Sequence, residues 1–253
     1  MQNKINNVVI VGGGTAGWMT ANLLAKMLGK SINVTLLESN DIATVGVGEA
    51  TIPPIRRFNR LIGVNEHAFM QACKATIKLG IQFENWLKPK HSYMHAFGTS
   101  LIQKRNQVDN LIYWDFSLNY QAAINNKFQK LKRLPNTNMP GIVYAYHFDA
   151  GLYAKFLAEH GKQQGVNHLI GTVKQVNQNH ETGFIESLLL DDDTQLSGDL
   201  FIDCTGMHAL LIEKTLNTGY EDWSHWLPCD RAMAVPSENA EIVVPYTRSI
   251  AHH

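Results

Sequence analysis

Residues 8–18, VVIVGGGTAGW, constrain the chain more than any other stretch. Val8 to Val11 form an unbroken apolar run, the pattern of a strand buried in a parallel sheet. The run leads directly into Gly12, Gly14 and Gly17, a G-x-G-x-x-G. In such a loop the first glycine permits the tight turn and the second lets backbone approach a pyrophosphate. The third lets the next helix pack on the strand. The helix starts near Ala16, so Thr15, Ala16 and the three glycines are the candidate phosphate contacts, at the positive end of a helix dipole. A second strand, residues 34–37, ends in Glu38. An acidic residue about 20 positions past the loop is placed to hold an adenosine ribose. Strand, loop, helix, strand and acid in this order predict a dinucleotide-binding unit.

With 253 residues the chain can hold one large or two small domains around a substantial core. Lys+Arg and Asp+Glu stand at 22 each, so neither nucleic acid nor an anionic membrane is an expected partner. The sequence has no run of apolar residues long enough to predict a membrane span, and residues 1–7 are polar. Cys73, Cys204 and Cys229 are odd in number, far apart and free of any C-x-x-C, which predicts reduced thiols and a cytoplasmic setting. The histidines show no H-E-x-x-H or other ligand spacing, so no metal site is expected.

Residues 15–28 read as the first helix, with Gly29 at its end. Residues 45–54, VGVGEATIPP, are either a plain strand-to-helix connection or a loop that brings backbone to a flat ligand. Pro53 or Pro54 then opens a helix that Gly63 ends. Residues 66–86, EHAFMQACKATIKLGIQFENW, read as helical sequence that Gly80 breaks or bends. Within it Lys78 has apolar neighbours; it either snorkels to water or presents a desolvated amine to a cavity. Residues 90–148 carry a high density of aromatics, including Phe97, Tyr113, Trp114, Tyr144, Tyr146 and Phe148. They form either a satellite core or a substrate cover. Asp149 caps a helix over residues 152–164, ended by Gly165. Strands are predicted at 167–176, 184–190, near 195 and at 200–203, the last turning at Thr205 and Gly206. Residues 220–226 read as a surface loop and 230–235 as a further strand.

Three motifs then occur together: GGGTAGW at 12–18, GVGEATIP at 46–53 and ATIKLGIQFENW at 75–86. In order and spacing they resemble the flavin-dependent tryptophan halogenase family. The resemblance continues through HAFG at 95–98, YHFD at 146–149, DLFIDCTG at 199–206 and PYTRSIA at 245–251. It implies FAD as cofactor, with Gly12, Gly14, Thr15, Ala16, Gly17, Glu38, Gly48, Glu49, Ala50, Thr205 and Gly206 as binding residues. Met207 and His208 depart from the family's more usual bulky-then-basic pair. The resemblance further implies halogenation of tryptophan or another indole through a flavin hydroperoxide and hypohalous acid, with Lys78 handling the oxidant and His95 and Phe97 contacting the substrate. Halide, oxygen and a separate flavin reductase are the implied partners. An aromatic monooxygenase and a flavin-binding remnant without catalysis are the alternatives.

The fold expected is α/β: a doubly wound, Rossmann-like FAD-binding parallel sheet with a β-meander and an aromatic-rich insertion. The nucleotide-binding core is expected at 1–88 and 149–215, the substrate cover at 89–148. Neither the family's W-x-W-x-I-P motif nor its Glu-Ser-Thr-Gly-like stretch occurs in these residues. The expectation is therefore an N-terminal part, in which 216–253 begin a second half. Such a part is expected to be inactive by itself, with exposed apolar surface that favours dimerisation.

Overall fold

The computed structural model describes residues 4–40, 48–98, 116–235, 238 and 241–252. Val45–Val47 of the glycine-glutamate motif, and Tyr113 and Trp114, lie outside the described residues. The chain divides into two compact units. The first draws on Met1–Val47, Leu61–Val64 and Asp149–Val235, the second on Gly48–Arg60, Asn65–Phe148 and Pro236–His253.

The first unit is built on a four-stranded parallel sheet. Its centre is β1 (Asn7–Val11), flanked by β2 (Asn33–Glu38) and β12 (Leu200–Asp203); β8 (Asn167–Ile170) lies outside β2. Helix α1 (Thr15–Leu28) follows the glycine loop and buries Trp18 and Ala21. It meets α5 (Ala150–Gln163), whose start is capped by the Asp149 carboxylate accepting from Leu152 N at 2.8 Å. Buried Asn22 joins the two helices, its Nδ2 donating to the Trp18 and Leu157 carbonyls at 2.8 Å each. The opposite face of the sheet is covered differently. Val9, Val11 and Leu37 pack on Leu188, Leu190 and Leu211, which belong to the antiparallel meander β9 (Val173–Gln178), β10 (Ile185–Leu190), β11 (Gln195–Ser197) and to a π-helical turn, Leu210–Thr215. Each fully buried leucine there contributes about 1.5–3 kcal/mol. The sheet thus carries helices on one face and the expected meander on the other.

Two local expectations need correction in this unit. The strand expected over 167–176 is two strands, because the chain leaves the parallel sheet at Gly171, whose N donates to Glu38 O, to enter the meander. The strand expected at 230–235 does not form; Met233 and Val235 stand exposed with no neighbouring strand among the described residues, and an unpaired strand has no ladder to hold it.

The second unit contains two three-stranded sheets. One has the order β3 (Gly48–Ala50), β7 (Ala145–Asp149), β4 (Thr76–Lys78). The other has β13 (Thr247–Ile250), β5 (Gly80–Glu84), β6 (Ser92–Ala96). Helices α2 (Pro54–Leu61), α3 (Glu66–Ala72) and α4 (Leu118–Ile124) complete it. The long helix expected over 66–86 is corrected here. Helix α3 stops at Ala72, and Lys74 takes a left-handed conformation at φ 52°. Thr76 and Ile77 then find backbone partners in β7, and Ile81 and Phe83 in β6. These β-branched and aromatic residues prefer a pleated, half-buried surface once a partner strand supplies the hydrogen bonds.

Aromatic side chains tie this unit together. Phe69 meets Tyr146 and Phe148 edge-on at 5.0 and 5.5 Å, and Phe128 meets Tyr144 at 5.0 Å. The Tyr144 and Tyr146 hydroxyls both donate to Glu66 Oε1 at 2.6 Å, and Lys130 pairs with the other oxygen. Burial alone would raise the Glu66 carboxyl. The bonds from Lys130, Tyr144 and Tyr146 outweigh it and hold the group at about 2. Among the described residues no helix is long and apolar enough to cross a membrane.

Candidate functional site

In the first unit the candidate residues meet at the carboxyl ends of β1, β2 and β12. Gly12 leaves β1 with φ 115°, and its N donates to Leu37 O at 2.9 Å. A Cβ there would lie 2.2 Å from the Cys204 carbonyl oxygen, so the β12 turn and the loop touch backbone to backbone. A Cβ at Gly17 would lie 1.9 Å from Gly12 O, which shows how closely α1 starts against the turn. Gly14 is different: among the described residues nothing lies within 4 Å of where its Cβ would stand. Among the described residues the loop is open at Gly14, where a phosphate contact is expected. No acidic residue occupies the first turn of α1, so the amides of Thr15, Ala16 and Gly17, which helix geometry leaves without intrahelical acceptors, face no carboxylate of their own turn.

Glu38 ends β2, and its Oε2 lies 2.9 Å from His168 Nε2. Thr205 and Gly206 follow β12, parallel to β1 with Val11 opposite Asp203. Gly206 adopts φ 62°, with nothing among the described residues within 4 Å of where its Cβ would stand. Asp203, which sequence reading passed over, organises this turn. Its Oδ1 accepts from Thr205 N and Oγ1 at 2.9 and 2.6 Å, and its Oδ2 from the Leu211 and Ile212 amides at 2.7 and 3.0 Å. These bonds overcome the effect of burial and lower its carboxyl below the ordinary range.

In the second unit Gly48, Glu49 and Ala50 lie on exposed β3 in the same sheet as Lys78. Thr51 anchors that edge, its N and Oγ1 both donating to Tyr146 O at 2.9 Å. Lys78 ends β4 and is only 2% exposed. Among the described residues no carboxylate pairs with it. Its Nζ stands 5.6 Å from the centroid of the Phe97 ring, within cation–π range. Desolvation pushes the amine below the ordinary lysine value. Phe97 is fixed by its N donating to Leu79 O at 2.8 Å. His95 sits on β6 opposite Ile81 with its side chain exposed.

His147 is a second residue that sequence reading passed over. It lies on β7 opposite Thr76, on the sheet face that Lys78 and Ala145 share. Its Nε2 is 2.9 Å from Thr247 Oγ1 of β13. Burial first, and the Lys78 charge second, push its imidazole down to about 4. Its signal was present only as the histidine of YHFD, with nothing local to tie it to Lys78. No group of three or more His, Cys, Asp or Glu among the described residues could hold a metal ion.

The family model for tryptophan halogenase matches residues 7–253. The chain belongs to the tryptophan halogenase family. A solved flavin-dependent halogenase from Xanthomonas campestris is 43% identical at a TM-score of 0.80, the match covering 89% of this chain and 47% of that one. BrvH, a flavin-dependent halogenase from Brevundimonas, is 38% identical at a TM-score of 0.86, covering 98% and 52%. The tryptophan 7-halogenase RebH of Lentzea aerocolonigenes is 35% identical, covering 99% of this chain and 52% of the relative. The chain spans about half the length of the curated relatives it matches.

Membership of the tryptophan halogenase family implies FAD. The residues present fit such a group. The space at Gly14 among the described residues, the acid-free start of α1 and Glu38 at the end of β2 are the features that a pyrophosphate and its ribose would need.

Proposed function

We propose that this chain carries the FAD-binding loop and the oxidant-handling lysine of a flavin-dependent halogenase that acts on an electron-rich aromatic ring, tryptophan or another indole. Bound FAD would supply the oxidising chemistry by which oxygen and halide give hypohalous acid. The amides of Thr15, Ala16 and Gly17 hold the pyrophosphate, and Glu38 accepts from the ribose. Gly12, Gly14, Thr205 and Gly206 admit the dinucleotide, with Gly48, Glu49 and Ala50 on the flavin side. His95 and Phe97 hold the aromatic substrate. Reduced flavin comes from a separate reductase.

One observation carries this reading: Lys78 is buried, unpaired with any described carboxylate, and faces an aromatic ring. A buried charge without a partner costs stability, and a titratable group perturbed by desolvation is a candidate for chemistry. Its amine positions or captures hypohalous acid; in either role Nζ is the atom that meets the oxidant.

The test is Lys78→Met in the protein that carries this chain, supplied with reductase, halide and tryptophan. Halogenated product is expected to vanish while FAD binding and oxygen consumption persist. Halogenation at near wild-type rate would remove Lys78 from the reaction. A product carrying added oxygen in place of halogen would assign the protein to the aromatic monooxygenases. Residues 1–253 by themselves are proposed to bind FAD without halogenating, since they lack the W-x-W-x-I-P and Glu-Ser-Thr-Gly-like stretches.

A further inference from the structure

We propose that His168 is a positioning residue for Glu38, and that the pair sets the preference of the loop for a ribose over a 2′-deoxyribose nucleotide. The inference rests on the reading of the glycine loop as a nucleotide site. Strand β8 runs parallel to β2 with His168 beside Leu36 and Ile170 beside Glu38. From there the imidazole reaches along the sheet, and its Nε2 lies 2.9 Å from Glu38 Oε2. The ring is held from the helix side by the edge of Trp18, at 5.0 Å and 69°. Trp18 is itself buried in α1, immediately after Gly17.

The other wall of Glu38 is the loop. A Cβ on Gly13 would stand 2.2 Å from the Glu38 carboxyl carbon and 2.6 Å from Oε2. The carboxylate therefore lies directly against bare loop backbone, between Gly13 and His168. Both neighbours engage the Oε2 side. Among the described residues Oε1 accepts no hydrogen bond. With Oε2 fixed by an N–H donor, Oε1 is left as the acceptor for a ribose hydroxyl. Without the imidazole, the carboxylate turns freely between solvent and ligand, and the orientation must be selected again at each binding event.

The motif G-x-G-x-x-G names neither residue: Gly13 stands at an unrestricted position and His168 lies 130 residues beyond Glu38. Their roles come from one carboxylate being pressed between them.

The experiment measures FAD binding by flavin fluorescence, with ADP and 2′-deoxy-ADP as competitors, for wild type, His168→Phe and His168→Gln. Phe keeps an aromatic edge against Trp18 but donates nothing. Gln restores an N–H close to the position of Nε2. Wild type is expected to prefer ADP by about tenfold, the scale of one charge-assisted hydrogen bond. His168→Phe is expected to bring that ratio close to one, and His168→Gln to retain most of it. Should His168→Phe fail to fold, His168→Ser carries the same expectation as Phe. An unchanged ratio in the Phe or Ser variant overturns the proposal, as does a ratio lost equally in His168→Gln. A wild type that binds FAD but shows no ribose preference also overturns it. A wild type that binds neither FAD nor ADP sinks the nucleotide-site reading itself.

Discussion

Lys78→Met is expected to make the fold more stable. The lysine stem already lies among apolar groups, and methionine reproduces most of its length without the ammonium. The charge removed is 2% exposed and has no carboxylate partner among the described residues. Exchanging a buried ion pair for apolar side chains of similar volume stabilises by about 1–4 kcal/mol, and a gain on that scale is expected for this lone buried charge. In a chain of this size each kcal/mol moves the melting temperature by about 2–4 °C.

The pH dependence gives the sharper test. The folded-state pKa of Lys78 is depressed by desolvation from its ordinary 10.5. Between the two values the unfolded chain binds more protons, so wild-type stability rises with pH there. Lys78→Met lacks that slope. Its advantage in urea denaturation should be largest near neutral pH and shrink as pH climbs toward 10.5. A variant no more stable than wild type, or an advantage that does not change with pH, would mean that the amine reaches water. The burial argument for its chemical role would then fail.

At Gly14, φ −72° and ψ −177° suit any residue and the Cβ position is open among the described residues, so Gly14→Val should fold normally while its side chain blocks the phosphate. FAD affinity is expected to fall more than tenfold, about 1.4 kcal/mol, by fluorescence titration; Glu38→Gln should cost less. His147 is depressed from 6.5 to about 4, so its contribution is complete above pH 6.5 and lost as pH falls toward 4. Urea denaturation should show a loss of about 2 kcal/mol between pH 7 and pH 5 that His147→Gln removes. Glu66 is held at about 2 against an ordinary 4.5, so its stabilisation is present above pH 4.5 and lost on the way down to pH 2. Tyr146→Phe deletes one of its donors, should cost about 1–3 kcal/mol at pH 7 by the same assay, and should move acid unfolding to higher pH.

Much of the first unit was legible because its signals are local. The apolar run of β1, the glycines, the β2 strand with its terminal glutamate, and the Asp149 cap of α5 each depend on a few consecutive residues. What covers the second face of the sheet was legible only in part. The meander showed in its alternation, but that Leu188 and Leu190 pack on Val9 and Val11 is a tertiary fact. His168 was missed for the same reason. Its partner, Glu38, is adjacent only because β8 pairs with β2.

The second unit shows why a correct residue can be found by an incorrect local structure. Read as helix, residues 66–86 leave Lys78 among apolar neighbours, either snorkelling to water or presenting a desolvated amine to a cavity. The strand changes the outcome. Side chains of β4 stand roughly perpendicular to the sheet, and Lys78 is paired directly with Ala145. Lys74, with φ 52°, belongs to the turn before the strand. The amine is thereby kept beside Phe97, and on the Ala145–His147 face of its sheet. Helical propensity in 66–75 was real as far as Ala72; beyond it β7, from more than 60 residues away, supplied the hydrogen bonds that decided the backbone. The burial of Lys78, and with it the case for its chemistry, follows from that long-range pairing.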